Sequence, residues 1–190
     1  MKIVIEGLIG AGKSTQARLL SKVVNVPVVT EPIHEWPLDL FYKDPSRWGF
    51  MMQVAVLTSF SKFRDSSGIF ERSPGSSGAV FWRNLVDSGT VTAKENEVFG
   101  KMTKCLSWDP DIMIFVDKSP EKCFEHIQAR DQTGDGKITL EYLKTLSRHY
   151  ARFCEDKKKI THIVDGNRSI DEVHQDIIKI LDVYNNHEKV

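Results

Sequence analysis

Near its start the chain runs Gly7-Leu8-Ile9-Gly10-Ala11-Gly12-Lys13-Ser14, the pattern G-x-x-x-x-G-K-[ST], between an apolar run at 2–5 and a helix-forming run at 15–24. Few local patterns restrict a fold more. Glycines let successive backbone N–H groups turn inward around an anion, and a helix that starts directly after them adds its positive end. Gly7, Gly10, Ala11, Gly12, Lys13, Ser14 and Thr15 are therefore expected to wrap a phosphate chain. In that arrangement Lys13 reaches the β and γ phosphates, and the Ser14 hydroxyl is placed to ligate Mg²⁺.

Taken in order, the remaining patterns alternate. After the first strand (2–6) and helix (13–24), the β-branched run 26–30 reads as a buried parallel strand. Glu31-Pro32 follows it, and Pro32 keeps Glu31 out of the helical region, so its carboxylate sits at the carboxyl end of a strand. In open α/β sheets ligands bind at that edge. Residues 37–48 read as loop-rich, with Asp44-Pro45 as a turn, and a long helical pattern covers 50–64. A short strand ends in Glu71-Arg72-Ser73. The composition of 74–78 resists helix, which delays the next helix to about 78–86. Thr92 and Glu95 form a capping box for a helix reaching about 107. A strand at 111–117, a helix capped by Ser119-Pro120 to about 130, a charged helix at 139–156, a strand at 160–164 and a helix opened by Ser169 and Glu172 complete the chain. Five strands alternating with helices predict an α/β fold: a parallel sheet of P-loop NTPase type, flanked by helices on both faces.

Composition narrows the class further. The 190 residues suit one domain, and 26 basic against 26 acidic residues leave no overall field to attract nucleic acid or an anionic membrane. Cys105, Cys123 and Cys154 lack disulfide or zinc spacing, which fits a reducing compartment. With no signal-like or membrane-spanning run, the expectation is a soluble cytoplasmic protein. The absence of an N-K-x-D motif speaks against a GTPase, and the length against a motor or helicase.

Several further motifs occur in series: Glu31-Pro32 with Trp36, the block from Phe41-Tyr42-Lys43-Asp44-Pro45-Ser46-Arg47-Trp48 to Gln53, Glu71-Arg72-Ser73, Pro120-Glu121-x-Cys123, and Leu140-Glu141-Tyr142-Leu143. With the phosphate loop, they make the chain similar to the deoxynucleoside kinase family over most of its length. The resemblance implies ATP- and Mg²⁺-dependent phosphorylation of a deoxynucleoside 5′-hydroxyl by a single domain, 1–190, with a lid at about 130–138. It also implies a homodimer, paired through the helices expected at 50–64 and 94–107.

By that resemblance Glu31 would be the general base, Arg72 would align Glu31 with the transferring phosphate, and Arg130 would close over that phosphate. Glu71 would hold Mg²⁺ through water beside Ser14. Gln53 would read the base, Trp36 and Phe81 would line it, Tyr42 and Asp135 would bind the 3′-hydroxyl, and Asp165 and Asn167 would lie at the adenine of ATP. Where the cellular deoxycytidine and deoxyguanosine kinases pair an arginine with an aspartate, this chain has Phe60 and Ser77. An apolar ring and a small hydroxyl leave room for a 5-methyl group, so thymidine or broad pyrimidine use is expected. The lid also departs from the family, with Gln132 and His126 at arginine positions and Asp135 in place of a glutamate. The loop from Asp131 imitates an EF-hand, but Tyr142 stands where the bidentate carboxylate belongs, which argues against calcium. Two alternatives share features with this reading: a thymidylate kinase, which normally has Asp-Arg in place of Glu71-Arg72, and a non-catalytic nucleotide switch.

Overall fold

The computed structural model describes residues 1–130 and 135–187, with side chains as far as Tyr184. Strands β1 (Lys2–Glu6), β2 (Val28–Val29), β3 (Gly68–Glu71), β4 (Ile112–Asp117) and β5 (Thr161–Asp165) form one parallel sheet in the order β2-β3-β1-β4-β5. This is the sheet of a P-loop NTPase. Strand β1 lies at its centre, where the strand order reverses, and that switch point opens a crevice at the carboxyl edge. The register puts Ile5 beside Glu71 and Glu6 beside Phe115, so acidic strand ends gather along this edge.

The helices are α1 (Lys13–Val24), α2 (Leu38–Lys43), α3 (Pro45–Ser61), α4 (Pro74–Ser76), α5 (Arg83–Asp87), α6 (Ala93–Leu106), α7 (Pro120–Arg130), α8 (Leu140–Asp156) and α9 (Ile170–His187). A π-helical stretch, Ser77–Trp82, joins α4 to α5 without a break. Alternate residues of β1 serve opposite faces of the sheet. Ile3 and Ile5 join Ala17 and Leu20 of α1 in one cluster, whereas Val4 packs with Met52, Val56 and Phe60 of α3 and with Trp108 in another. None of the helices among the described residues is long and apolar enough to cross a membrane.

Three local expectations fail. The loop-rich stretch holds α2, and α3 begins at Pro45, because the Asp44 carboxylate accepts the Arg47 N–H and proline suits the first helical position. The next helix starts at Pro74, not near Gly78, because the Ser73 hydroxyl caps it by accepting the Ser76 N–H. The tertiary setting outweighs the poor helix propensity of glycine and serine there. Strand β2 is a half-buried edge pair, not a five-residue buried strand, since Pro27 offers only its carbonyl, which accepts from Ile69 N at 3.0 Å.

Candidate active site

The phosphate loop links β1 to α1. Gly10 has a φ of +82°, and a Cβ there would lie 2.5 Å from the Cys123 carbonyl oxygen, so only glycine lets the loop pass under α7. Gly12, at φ +96°, caps α1 and accepts the N–H groups of Thr15 and Gln16 at 3.1 Å. The loop is held from outside as well: His126 Nδ1 lies 3.1 Å from the Gly10 oxygen, and Arg72 Nη2 donates to the Gly7 oxygen at 3.2 Å. Lys13 folds back to donate to the Leu8 oxygen at 2.8 Å. Burial, aided by the Arg72 charge, brings its ammonium down to about 7.

Beside this loop opens a cleft of about 260 Å³. Its phosphate end carries Gly10, Lys13, Ser14, Glu31, Glu71 and Arg72. At its far end stand Trp36, Gln53, Phe60 and Ser77, Phe81 lies against Arg72, and Tyr42, Arg130 and Asp135 line the side formed by α2 and the end of α7. Residues 41 apart in sequence meet here: Arg72 Nη1 donates to both oxygens of Glu31 at 3.1 Å. Arg72 has a φ of +62°, a left-handed backbone rare for a residue with a side chain. Its guanidinium lies over the Phe81 ring at 4.8 Å and donates from Nε to the Tyr150 phenol oxygen at 3.1 Å.

The far end is apolar with one amide. Phe60 is 2% exposed and Gln53 5% exposed. The Ser77 hydroxyl donates to Gln53 Oε1 at 2.9 Å, which fixes which way round the amide faces the cleft. Trp36 donates to the Ser59 hydroxyl at 3.2 Å, with its ring centroid 6.4 Å from that of Phe60. Asp135 takes Arg130 in a bidentate pair, at 2.8 Å and 2.9 Å. Burial, and then the nearby Asp135 charge, raise the Tyr42 phenol above its ordinary range.

Glu71 is 5% exposed, and its Oε1 has no hydrogen-bond partner. An orphaned carboxylate oxygen sharing a cleft wall with the Ser14 hydroxyl is a donor set that suits a hard divalent cation. Asp165 and Asn167 lie outside this cleft, at the exposed end of β5. There Asn167 spends its amide on Ser119 N and Asp165 Oδ1, both at 3.0 Å. Asp131 and Thr133 of the EF-hand-like pattern, and Gln132 of the lid, lie outside the described residues.

A family model described as "Deoxynucleoside kinase" matches residues 3–187. The chain belongs to the deoxynucleoside kinase family. It is 34% identical to a deoxyadenosine kinase of Dictyostelium discoideum, over 88% of this chain and 72% of that protein. To human mitochondrial thymidine kinase 2 it is 31% identical, over 76% of this chain and 60% of the relative. A solved deoxyadenosine kinase from M. mycoides, with dCTP bound, superposes with a TM-score of 0.88 at 26% identity, covering 96% of this chain and all of that one.

The cleft gathers Lys13, Glu31, Arg72 and Arg130, expected at the transferred phosphate, Tyr42 and Asp135, expected at the sugar, and Trp36, Gln53, Phe60, Ser77 and Phe81, expected at the base; of the other loop residues Gly10 and Ser14 line it and Gly7, Ala11, Gly12 and Thr15 do not. Among the wall and support residues not anticipated as such are Met52 and Val56 on α3, Tyr142 on α8, and Tyr150 and Glu6, linked in series behind Arg72. For Glu6 a signal existed, since it is a charge that closes the central strand directly after the apolar run Ile3, Val4, Ile5.

Proposed function

We propose that this deoxynucleoside kinase transfers the γ-phosphoryl group of ATP to the 5′-hydroxyl of thymidine, or of pyrimidine deoxynucleosides broadly. The reading rests above all on one observation: Glu31, held by Arg72, shares a cleft wall with Lys13 and Ser14 of the phosphate loop. Glu31 accepts the proton of the 5′-hydroxyl as its oxygen bonds to the γ-phosphorus and the bond to the β-γ bridging oxygen breaks, releasing ADP. Phosphoryl transfer through a loose transition state asks for position more than for a strong base. Arg72 has five N–H groups, enough to make its four bonds to Glu31, Tyr150 and Gly7 and still offer one donor to a phosphate oxygen. Lys13 and the loop N–H groups hold the β and γ phosphates, and Arg130, once released from Asp135, adds charge to the transferred group. Ser14 and Glu71 would hold Mg²⁺, which when bound neutralises charge on those phosphates.

At the base end, Gln53 offers one donor and one acceptor, as the N3/O4 edge of thymine requires. Phe60 contributes only apolar surface, and it and Ser77 stand at the two positions where an arginine-aspartate pair would favour an exocyclic amino group. Tyr42 and Asp135 would bind the 3′-hydroxyl, and the loop holding Asp165 and Asn167 the adenine of ATP, through its backbone because the Asn167 amide is already engaged. We read 1–190 as one kinase domain with its lid at about 130–138, acting as a homodimer through α3 and α6. Its free thiols fit the cytoplasm, and salvage of DNA precursors is the fitting role.

A panel of thymidine, deoxycytidine, deoxyadenosine, deoxyguanosine and dTMP at fixed ATP tests the substrate. Thymidine is expected to match or exceed deoxycytidine in kcat/KM. An advantage of about tenfold for deoxycytidine would overturn the base assignment, and a preference for dTMP would point to a thymidylate kinase instead.

A further inference from the structure

Glu6 and Tyr150 take no part in the transfer set out above, yet both are fully buried beside it. Glu6 ends β1, where its Oε1 accepts from the Ser73 N–H at 3.0 Å and from the Ser73 hydroxyl at 2.8 Å. Its Oε2 accepts from the Tyr150 phenol at 3.1 Å, and Tyr150, on α8, accepts in turn from Arg72 Nε at 3.1 Å. A phenol has one proton to give. Because Glu6 takes it, the lone pairs of the phenol oxygen are left facing Arg72.

A guanidinium is planar and rigid, so fixing two of its edges fixes the third. The Gly7 oxygen holds Nη2 and Tyr150 holds Nε; between them they set the plane in which Nη1 meets the two oxygens of Glu31. Without the phenol, the guanidinium keeps its charge and its stacking on Phe81 but loses one of the two anchors that define that plane. The carboxylate it holds is then free to swing with it.

We propose that Tyr150 is a positioning residue for phosphoryl transfer: through the chain Glu6, Tyr150, Arg72 it orients the guanidinium that presents Glu31 to the sugar hydroxyl. The proposal deepens the kinase reading and rests on it. It also ties α8 to the chemistry at the end of β3, 78 residues away in sequence.

Tyr150→Phe keeps the ring against Phe81 and Phe115 and removes only the hydroxyl. Steady-state kinetics should give a kcat lower by roughly tenfold to a hundredfold, the scale of one hydrogen bond to a charged group, with KM for nucleoside and ATP within about twofold. In an Arg72→Lys background the same substitution should cost less than about threefold, since the two act as a unit. A kcat within about twofold of wild type, a loss confined to KM, or an equal cost in both backgrounds would overturn the proposal.

Should Tyr150→Phe be unfolded in a thermal melt, Glu6→Gln decides. Its amide oxygen can serve Ser73 only by turning NH₂ towards Tyr150, which sends the phenol proton against the Arg72 N–H. A fall in kcat is expected there too, and wild-type kcat would sink the idea. Wild-type protein that phosphorylates no nucleoside refutes the kinase reading itself; an active wild type with unaffected variants refutes only the role of Tyr150.

Discussion

Lys13 carries its charge reluctantly in the nucleotide-free protein. Burial and the Arg72 guanidinium bring it down from the ordinary lysine range to about 7, and Glu31, Glu71 and Glu6 only partly oppose them. A triphosphate placed against it favours the ammonium and raises it again. A group at about 7 is about half protonated at pH 7 and about a tenth protonated at pH 8, so restoring its charge takes up about 0.9 proton per nucleotide at pH 8 and about a tenth at pH 6. Affinity should accordingly be nearly level below pH 7 and fall up to about tenfold per unit above it. The assay is calorimetric titration with a non-hydrolysable ATP analogue in buffers of different ionisation enthalpy, at pH 8, where phosphate groups are already ionised. Lys13→Arg, charged throughout, should abolish the uptake. Zero uptake at pH 8 in the wild type, or the same uptake in Lys13→Arg, would refute the reasoning.

Two further expectations concern the rest of the molecule. Thr92 and Glu95 cap α6 reciprocally, through Glu95 N to Thr92 Oγ1 at 3.2 Å and Thr92 N to Glu95 Oε2 at 2.7 Å. Thr92→Ala should cost about 1 kcal/mol and lower Tm by roughly 2–4 °C, and an unchanged melt would contradict that. Cys105 is exposed, whereas burial raises the thiols of Cys123 and Cys154, the former to about 11. A thiol reagent at neutral pH should therefore label one cysteine in the native protein and three after denaturation. Rapid labelling of all three in the native state would contradict the burial.

The parts of this fold legible from sequence are those whose physics is local. The phosphate loop dictates a strand before it and a helix after it, and β1 and α1 occupy 2–6 and 13–24 as expected. Thr92 with Glu95 marked the start of α6 because a capping box is a four-residue interaction. Asp44-Pro45 failed as a turn for an instructive reason: an aspartate before proline suits a turn and a helix N-terminus alike, and only the packing of α3 on β1 and β3 separates the two. Pro74 to Gly78 failed because propensity cannot register that Ser76 and Ser77 become buried against α3.

In the cleft, the loop residues were readable from spacing, and the others through their order along the chain. What stayed hidden was how distant groups hold one another. Tyr150 lies 144 residues from Glu6, and nothing in the pattern of α8 sets that tyrosine apart from an ordinary core aromatic. Likewise Ser77 meets Gln53, 24 residues earlier, where the π-helical stretch packs on α3.

The most direct trial of the account is a single-turnover measurement of γ-phosphoryl transfer from ATP to thymidine by Glu31→Gln. The amide keeps the size of the carboxylate and its contact with Arg72 but cannot take the hydroxyl proton. Transfer should slow by about a hundredfold or more while Kd for ATP stays within about threefold. Transfer at the wild-type rate would mean that Glu31 is not the base, and that the meeting of strand end and phosphate loop in this cleft serves some other purpose.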